Sequence, residues 1–211
     1  MKLILARHGN TFGPGDTPVW VGAREDYPLV ERGLEQAREL AGALISADLA
    51  PSRIIAGPLK RTRLGADIIA EQTGFSGTVE IDDRLTEIDY GAWGGKSDDE
   101  IVAMYGKDAI HDWREHSVRP PKADWSPTEE TLRTNALAVL ESVRADSAEA
   151  DNVLIVTSNG ILRFYHAALY AGQKNPPPGK VKTGHLGMAE LRNGTFEPLC
   201  WNLAPKDILS I

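Results

Sequence analysis

Three short apolar runs decide most of what this chain can become. Lys2-Leu3-Ile4-Leu5-Ala6, Arg53-Ile54-Ile55-Ala56 and Val153-Leu154-Ile155-Val156 carry apolar side chains at successive rather than alternate positions. A strand of that composition is apolar on both faces, so it must lie inside a sheet covered on both sides. The cover is also legible. Leu34, Ala37, Leu40, Ala41, Leu44 and Ile45 recur at helical spacing between Gly33 and Pro51, which predicts an amphipathic helix over about 31–46. Leu64, Ile68 and Ile69 give a second stripe that runs to Gly74, and Leu132, Ala136, Val139, Leu140 and Val143 give a third. A further helix is expected from about Ile161 to Tyr170, just after Asn159-Gly160. Strand and helix thus alternate three times, the pattern of an α/β fold with a mostly parallel central sheet in a three-layer α/β/α sandwich.

The remaining segments are less regular. Val79 to Ile81 and the stretch around Leu85 read as weak strands or loop, and Tyr90 to Pro127 has mixed character with several turn residues. We read about 90–127 as an insertion capping the site within a single domain, because 211 residues suit one core better than two. Met188 to Leu191 and Phe196 to Leu199 are strand-like, and the Asn193-Gly194 pair between them favours a tight hairpin.

Charge and composition exclude several function classes. The formal charge is -7, so a general attraction to nucleic acid or to an anionic membrane surface is not expected. No apolar run approaches the roughly 20 residues needed to cross a bilayer, and the N-terminus lacks a signal-peptide layout. A cytoplasmic location is expected. The one cysteine, Cys200, offers neither an internal disulfide nor a Cys-based zinc cage. Other partial motifs fail. Gly94-Gly95-Lys96-Ser97 ends like a nucleotide-binding loop but has Tyr90 where that loop needs glycine, and His111 and His116 lack the HExxH spacing of a zinc helix. Asn193-Gly194-Thr195 fits a glycosylation acceptor, yet it is better read as the hairpin turn.

Ligands of parallel α/β sheets gather beyond the carboxyl ends of the strands, where loops and helix N-termini collect polar groups. Here those places are Arg7 to Thr11, Gly57 to Arg61 and Thr157 to Gly160. They bring a histidine, two arginines and open helix N–H groups together, a set suited to a phosphoryl group. Imidazole, with an unperturbed pKa of about 6.5, can also attack phosphorus as a nucleophile.

Arg7-His8-Gly9-Asn10-Thr11 resembles the Arg-His-Gly signature of the histidine phosphatase superfamily, which includes the cofactor-dependent phosphoglycerate mutases. Gly57-Pro58-Leu59-Lys60-Arg61-Thr62 is similar to that family's second arginine motif, and the stretch from Asp83 to Gly95 resembles the segment that holds its proton donor, here Glu87. Asp26-Tyr27-Pro28-Leu29 with Gly33, Gln36 and Ala37 fits its first loop and helix. The resemblance implies a phosphoglycerate mutase-like fold and gives His8 the role of nucleophile, forming a phosphohistidine. It makes Arg7 and Arg61 the phosphate grips and Glu87 the acid and base. It implies no metal and no cofactor, and a small phosphorylated metabolite as partner.

Two positions depart from the family pattern. Its second histidine stands where this chain has Asn159, before Gly160. Asparagine donates through its amide but carries no charge, so slower phosphoryl transfer is expected. Asn10 stands where many members have Glu or Gln. His185, in Lys182-Thr183-Gly184-His185, is a candidate replacement donor, and Asn10, Asn159, Gly160 and His185 complete the expected binding set.

Arg63 reads as an exposed helix residue. Arg114, Arg119 and Lys122 either contact the substrate's distal part or face water. Trp20, Trp93, Trp113 and Trp125 can line the mouth, support a homodimer contact or sit in the core. The reading that fits best is a phosphomonoesterase. The alternatives are a mutase moving phosphate within one small molecule, which a chain of 211 residues mildly disfavours, and a non-catalytic phosphate-binding protein, favoured by Asn159.

Overall fold

In the computed structural model, which describes residues 1–211, the three apolar runs are neighbours in one six-stranded sheet. β1 (Lys2–Arg7) is followed by α1 (Glu31–Ser46), β2 (Arg53–Ala56), α2 (Lys60–Thr73) and the two-residue β3 (Glu80–Ile81). Two short helices, α3 (Asp98–Tyr105) and α4 (Lys107–His111), precede α5 (Glu129–Asp146), β4 (Asn152–Thr157) and α6 (Asn159–Leu169). β5 (Leu186–Arg192) and β6 (Thr195–Leu203) close the sheet, whose order is β3-β2-β4-β1-β5-β6. β1, β2, β3 and β4 run parallel, whereas β5 is antiparallel to β1 and β6 antiparallel to β5. The hairpin joining β5 and β6 turns on Asn193 and Gly194, at φ 49° and 79°, the left-handed pair that an Asn-Gly turn supplies.

Alternation along the strands sorts the core into two halves. Leu3, Leu5, Val153 and Ile155 face α5 and α6, while Ile4, Ala6, Leu154 and Val156 face α1 and α2. All eight are at most 1% exposed, and burying each large aliphatic side chain is worth about 1.5–3 kcal/mol, so these strands anchor everything around them. Arg7 pairs with Thr157 and Ala56 with Val156. The strand ends are therefore level, and the residues after them emerge along one edge.

Three local expectations shift. In α2 the buried face is Arg61, Thr62, Gly65, Ala66 and Ile69, and Leu64 is exposed. The small residues Gly65 and Ala66 lie on the same buried face as Arg61, next to Val156 on the sheet and Leu29. α6 starts at Asn159 itself, capped by the extended Ser158, instead of after Gly160. Residues 91–116 are largely helical: a 3-10 turn at Gly91–Trp93, then α3 and α4, then a π-helical turn at Asp112–His116. The stretch around Leu85 is likewise a 3-10 turn, Asp83–Leu85. Trp93, Trp113 and Trp125 are buried in the core at 1%, 2% and 4% exposure, and partly buried Trp20 packs edge-on against Tyr90 and Trp93. No helix is long and apolar enough to cross a membrane.

Candidate active site

The edge where β1 and β4 end opens into a cleft of about 640 Å³ lined by Arg7, His8, Asn10, Arg61, Glu87 and Asn159, among others. The sequence motifs, up to 152 residues apart, therefore do converge. His8 continues the ladder one residue beyond β1, its N–H donating to the Thr157 carbonyl at 3.1 Å. The chain then turns away under tight constraint. A Cβ at Gly9 would overlap the Gly33 backbone, and one at Gly33 would overlap Asn10, so this loop is clamped on the first turn of α1.

The His8 ring is buried, with Nδ1 2.8 Å from the Gly9 carbonyl oxygen. A carbonyl only accepts, so Nδ1 carries the proton and the Nε2 lone pair is free. Burial, then the positive charges of Arg61 and Arg7, hold the ring well below its ordinary pKa of 6.5. The imidazole is neutral at neutral pH.

Both guanidinium groups are fixed by neutral acceptors. Arg7 Nη1 donates to the Val181 carbonyl at 2.7 Å, and Arg61 donates from Nη1 to the Glu25 carbonyl at 2.8 Å and from Nη2 to the Gly22 carbonyl at 3.0 Å. Carbonyls orient a guanidinium without cancelling its charge, which stays available for an anion. The Nε atoms of both arginines are buried without partners, and burial lowers the Arg7 pKa to about 10 and depresses that of Arg61 as well. Buried cations with open donors are expected where a ligand anion completes the shell.

Glu87 is 5% exposed; its Oε1 accepts from the Ile88 N–H at 2.8 Å and its Oε2 from the Gly160 N–H at 3.1 Å. Burial raises its pKa above 4.5 and outweighs Arg61, the two N–H groups and Arg7, which all favour the carboxylate. Gly160 is close-packed here, since a Cβ would collide with Glu87 Oε1 and the Tyr90 hydroxyl. Asn159 Oδ1 accepts from the Val181 N–H at 2.9 Å. Asn10 is held from behind: its N–H donates to Gln36 Oε1, and its Oδ1 accepts from the Thr183 hydroxyl.

His185 is not brought to this cleft. Its ring lines a second cleft between α1 and the C-terminal turn Pro205–Ser210, with Nδ1 at the Asn202 carbonyl, so the donor role anticipated for it does not fit. The physical reason is the backbone: the His185 carbonyl accepts from the Arg7 N–H at the end of the sheet, which sends the ring to the α1 side. Arg63 and Lys122 are exposed, and Arg119 binds the Trp125 carbonyl and stacks on that ring, away from the cleft. Arg114 does line it.

Two cationic cleft residues escaped the sequence reading, Arg163 and Lys180. Arg163 was detectable, because it lies one helical turn after Asn159 on the same face of α6. Lys180 has no such signal. With them the cleft holds five cationic side chains, Arg7, Arg61, Arg114, Arg163 and Lys180, against the three carboxylates Glu87, Asp98 and Asp99. The surplus is positive in a chain whose formal charge is -7. No three His, Cys, Asp or Glu side chains are grouped to hold a metal ion.

The family model described as histidine phosphatase superfamily (branch 1) matches residues 3–204. Phosphoserine phosphatase 1 of Hydrogenobacter thermophilus is 33% identical over 175 residues, covering 80% of this chain and 76% of its own. The 2,3-bisphosphoglycerate-dependent phosphoglycerate mutase of Parvibaculum lavamentivorans is 29% identical over 167 residues, 76% of each chain. In three dimensions the native structure of a mycobacterial glucosyl-3-phosphoglycerate phosphatase superposes with a TM-score of 0.77 over 96% of this chain and 99% of its own. At 20% identity that likeness speaks for the fold alone.

Proposed function

This chain belongs to the histidine phosphatase superfamily, branch 1, and from that premise we propose that it hydrolyses a small phosphomonoester through a phosphohistidine on His8. The observation that carries the reading is the His8 ring. Its proton is committed to the Gly9 carbonyl, which leaves Nε2 unprotonated in a ring that lines the cleft beside Arg7 and Arg61, two guanidinium groups oriented by backbone carbonyls.

The chain's own groups divide the work. Arg7 and Arg61, which line the cleft, hold the non-bridging oxygens and stabilise the charge that builds on them in the transition state. His8 Nε2 forms the bond to phosphorus as the ester oxygen leaves, and Glu87, whose burial favours its protonated form, gives that oxygen its proton. The resulting Glu87 carboxylate then takes a proton from the water that attacks the phosphohistidine, releasing phosphate and restoring both residues. Asn159 contributes a neutral amide donor where a second histidine would bring charge.

Release of phosphate from a chromogenic phosphomonoester, compared with a His8→Ala protein, tests this reading. Equal rates in the two would overturn it in favour of phosphate binding without turnover. A second reading, transfer between hydroxyls of one molecule, is favoured by the mutase relatives. Isomerised 3-phosphoglycerate appearing faster than free phosphate would select it.

A further inference from the structure

We infer that Trp201 and Asn202, neighbours on β6, are positioning residues for the phosphate pocket: they clamp the chain on both sides of Val181, the residue that holds Arg7 and Asn159. The inference rests on the reading that Arg7 and Asn159 take a phosphoryl group.

The clamp starts from an irregularity in the sheet. Leu203 pairs with Leu186 and Cys200 with Met188, so Trp201 and Asn202 together stand opposite the single residue Gly187. An extra residue of this kind makes a β-bulge, which bends an edge strand and re-aims its side chains, and β6 is the edge of this sheet. Asn202 sits in the bulge at φ 55°, a left-handed conformation that asparagine adopts more readily than most residues. Gly187 makes room opposite it. A Cβ there would overlap Cε3 and Cζ3 of the Trp201 ring, so a larger residue would push the indole off β5.

Both side chains of the bulge hold backbone of the segment that leads into β5. Trp201 Nε1 donates to the Gly179 carbonyl at 3.1 Å, and Asn202 Oδ1 accepts from the Lys182 N–H at 2.8 Å. Gly179 is the one buried residue between Ala171 and Lys180, and a Cβ on it would stand 3.2 Å from Ser117 Oγ and 3.3 Å from His166 Nδ1. Pro176, Pro177 and Pro178 precede it with fixed φ, which leaves this stretch little slack. The Lys182 N–H belongs to the same peptide unit as the Val181 carbonyl that receives Arg7 Nη1. Because that unit is planar, Asn202 on one side sets the direction of the acceptor that aims Arg7 on the other. The preceding peptide unit supplies the Val181 N–H that orients Asn159, and it follows directly on the Gly179 carbonyl pinned by Trp201. Neither Trp201 nor Asn202 lines the cleft, so their influence on a ligand passes through Val181.

Calorimetric titration with inorganic phosphate reads the clamp on the folded protein. Asn202→Gly keeps the left-handed backbone and removes the acceptor, whereas Asn202→Asp keeps both. Phosphate affinity should fall about fivefold in Asn202→Gly, the scale of one lost hydrogen bond, and stay within about twofold of wild type in Asn202→Asp. Trp201→Phe keeps an aromatic ring over Gly187 without the Nε1–H and should lose a similar factor. Combined with Asn159→Ala, either loss should be less than multiplicative, because residues that act through one contact are not additive and independent ones are. Tyr170→Leu removes a ring 6.2 Å from that of Trp201 and leaves both hydrogen bonds in place, so it should lower the melting temperature without changing phosphate affinity. Wild-type affinity in Asn202→Gly and Trp201→Phe, an equal loss in Tyr170→Leu, or aspartate no better than glycine would overturn the inference. If the wild-type protein bound no phosphate, the reading of Arg7 and Asn159 would fall and the inference with it. If phosphate binding depends on the clamp but the chromogenic ester is not hydrolysed, the catalytic reading falls and the clamp stands.

Discussion

The Val181 backbone N–H donates to Asn159 Oδ1 at 2.9 Å, which fixes the orientation of that amide. A peptide N–H cannot accept, so the oxygen must face Val181 and the NH₂ must face away from it. The Val181 carbonyl at the same time holds Arg7 Nη1, so one residue orients both groups proposed to hold phosphate. Asn159→Asp keeps the acceptor for Val181 but replaces the donor by a carboxylate oxygen, setting a negative charge where phosphate should bind. Asn159→Ala removes one neutral hydrogen bond, worth about 1 kcal/mol, and should weaken competitive inhibition by inorganic phosphate about fivefold. The aspartate variant should weaken it far more, beyond about tenfold. If aspartate were tolerated better than alanine, the donor assignment would be wrong.

Arg61 is 1% exposed and ties the loop at Gly22 and Glu25 to α2 by two backbone carbonyls. Lysine keeps the charge but offers a single donor atom, which cannot reach both carbonyls and a phosphate from fixed directions. Arg61→Lys should lower kcat/KM for a phosphomonoester at least about 100-fold, since lost charged hydrogen bonds cost about 1.5–3 kcal/mol each. Because those carbonyls lose their donors, thermal unfolding should shift down as well. A variant with reduced activity and an unchanged melting temperature would show that the loop is held by other contacts.

The parts of this fold that were legible in sequence are those dictated locally. The unbroken apolar runs required central strands, the Leu40 and Leu44 stripe required α1, and Asn193-Gly194 required a hairpin. Misreadings arose where tertiary packing overrides periodicity. Leu64 belongs to an apolar stripe by spacing, yet α2 packs through Arg61, Thr62, Gly65, Ala66 and Ile69, so that Arg61 is buried and Leu64 is not. His8, Arg61 and Glu87, which line one cleft, could be placed there from sequence because each stands in a contiguous motif. Lys180 comes from a loop with no periodic signal, and His185 was misplaced because strand pairing, invisible from its neighbours, decides which side of the sheet its ring faces.

Opposite pKa shifts in His8 and Glu87, the two groups proposed to react, predict a mildly acidic optimum. His8 is held below 6.5, so on acidification its ring stays neutral past the pH at which an ordinary histidine would be protonated. Glu87 is raised above 4.5, so it retains its proton to higher pH than an ordinary glutamate and loses it as the pH rises further. The kcat/KM profile should therefore fall on the acid side with His8 protonation and on the alkaline side with Glu87 ionisation. Glu87→Gln should abolish the alkaline limb. It should also cost about 10²–10⁴-fold on an alkyl phosphate but much less on p-nitrophenyl phosphate, whose leaving group needs little protonation. Equal losses on both esters would remove Glu87 from the role of acid. The same shift in His8 acts on folding: the unfolded chain binds a proton below 6.5 that the folded one does not, so stability from this group declines as the pH drops through that value.

Gly160→Ala separates helix propensity from site geometry, because the two pull in opposite directions. In a helix alanine is favoured over glycine by about 1 kcal/mol, so backbone preference alone predicts a more stable protein. The Cβ, however, would strike Glu87 Oε1, the Tyr90 hydroxyl and Ile88 Cδ1, three groups packed together at the wall of the cleft. Glu87 must then swing away from the Gly160 N–H that now orients it at 3.1 Å. Displacing a proton donor by about 1 Å can cost about 10²-fold in rate, so kcat should fall by that order with a smaller change in KM, and the melting temperature should drop. Wild-type kcat together with a higher melting temperature would mean that the carboxyl group has room the packing around it denies.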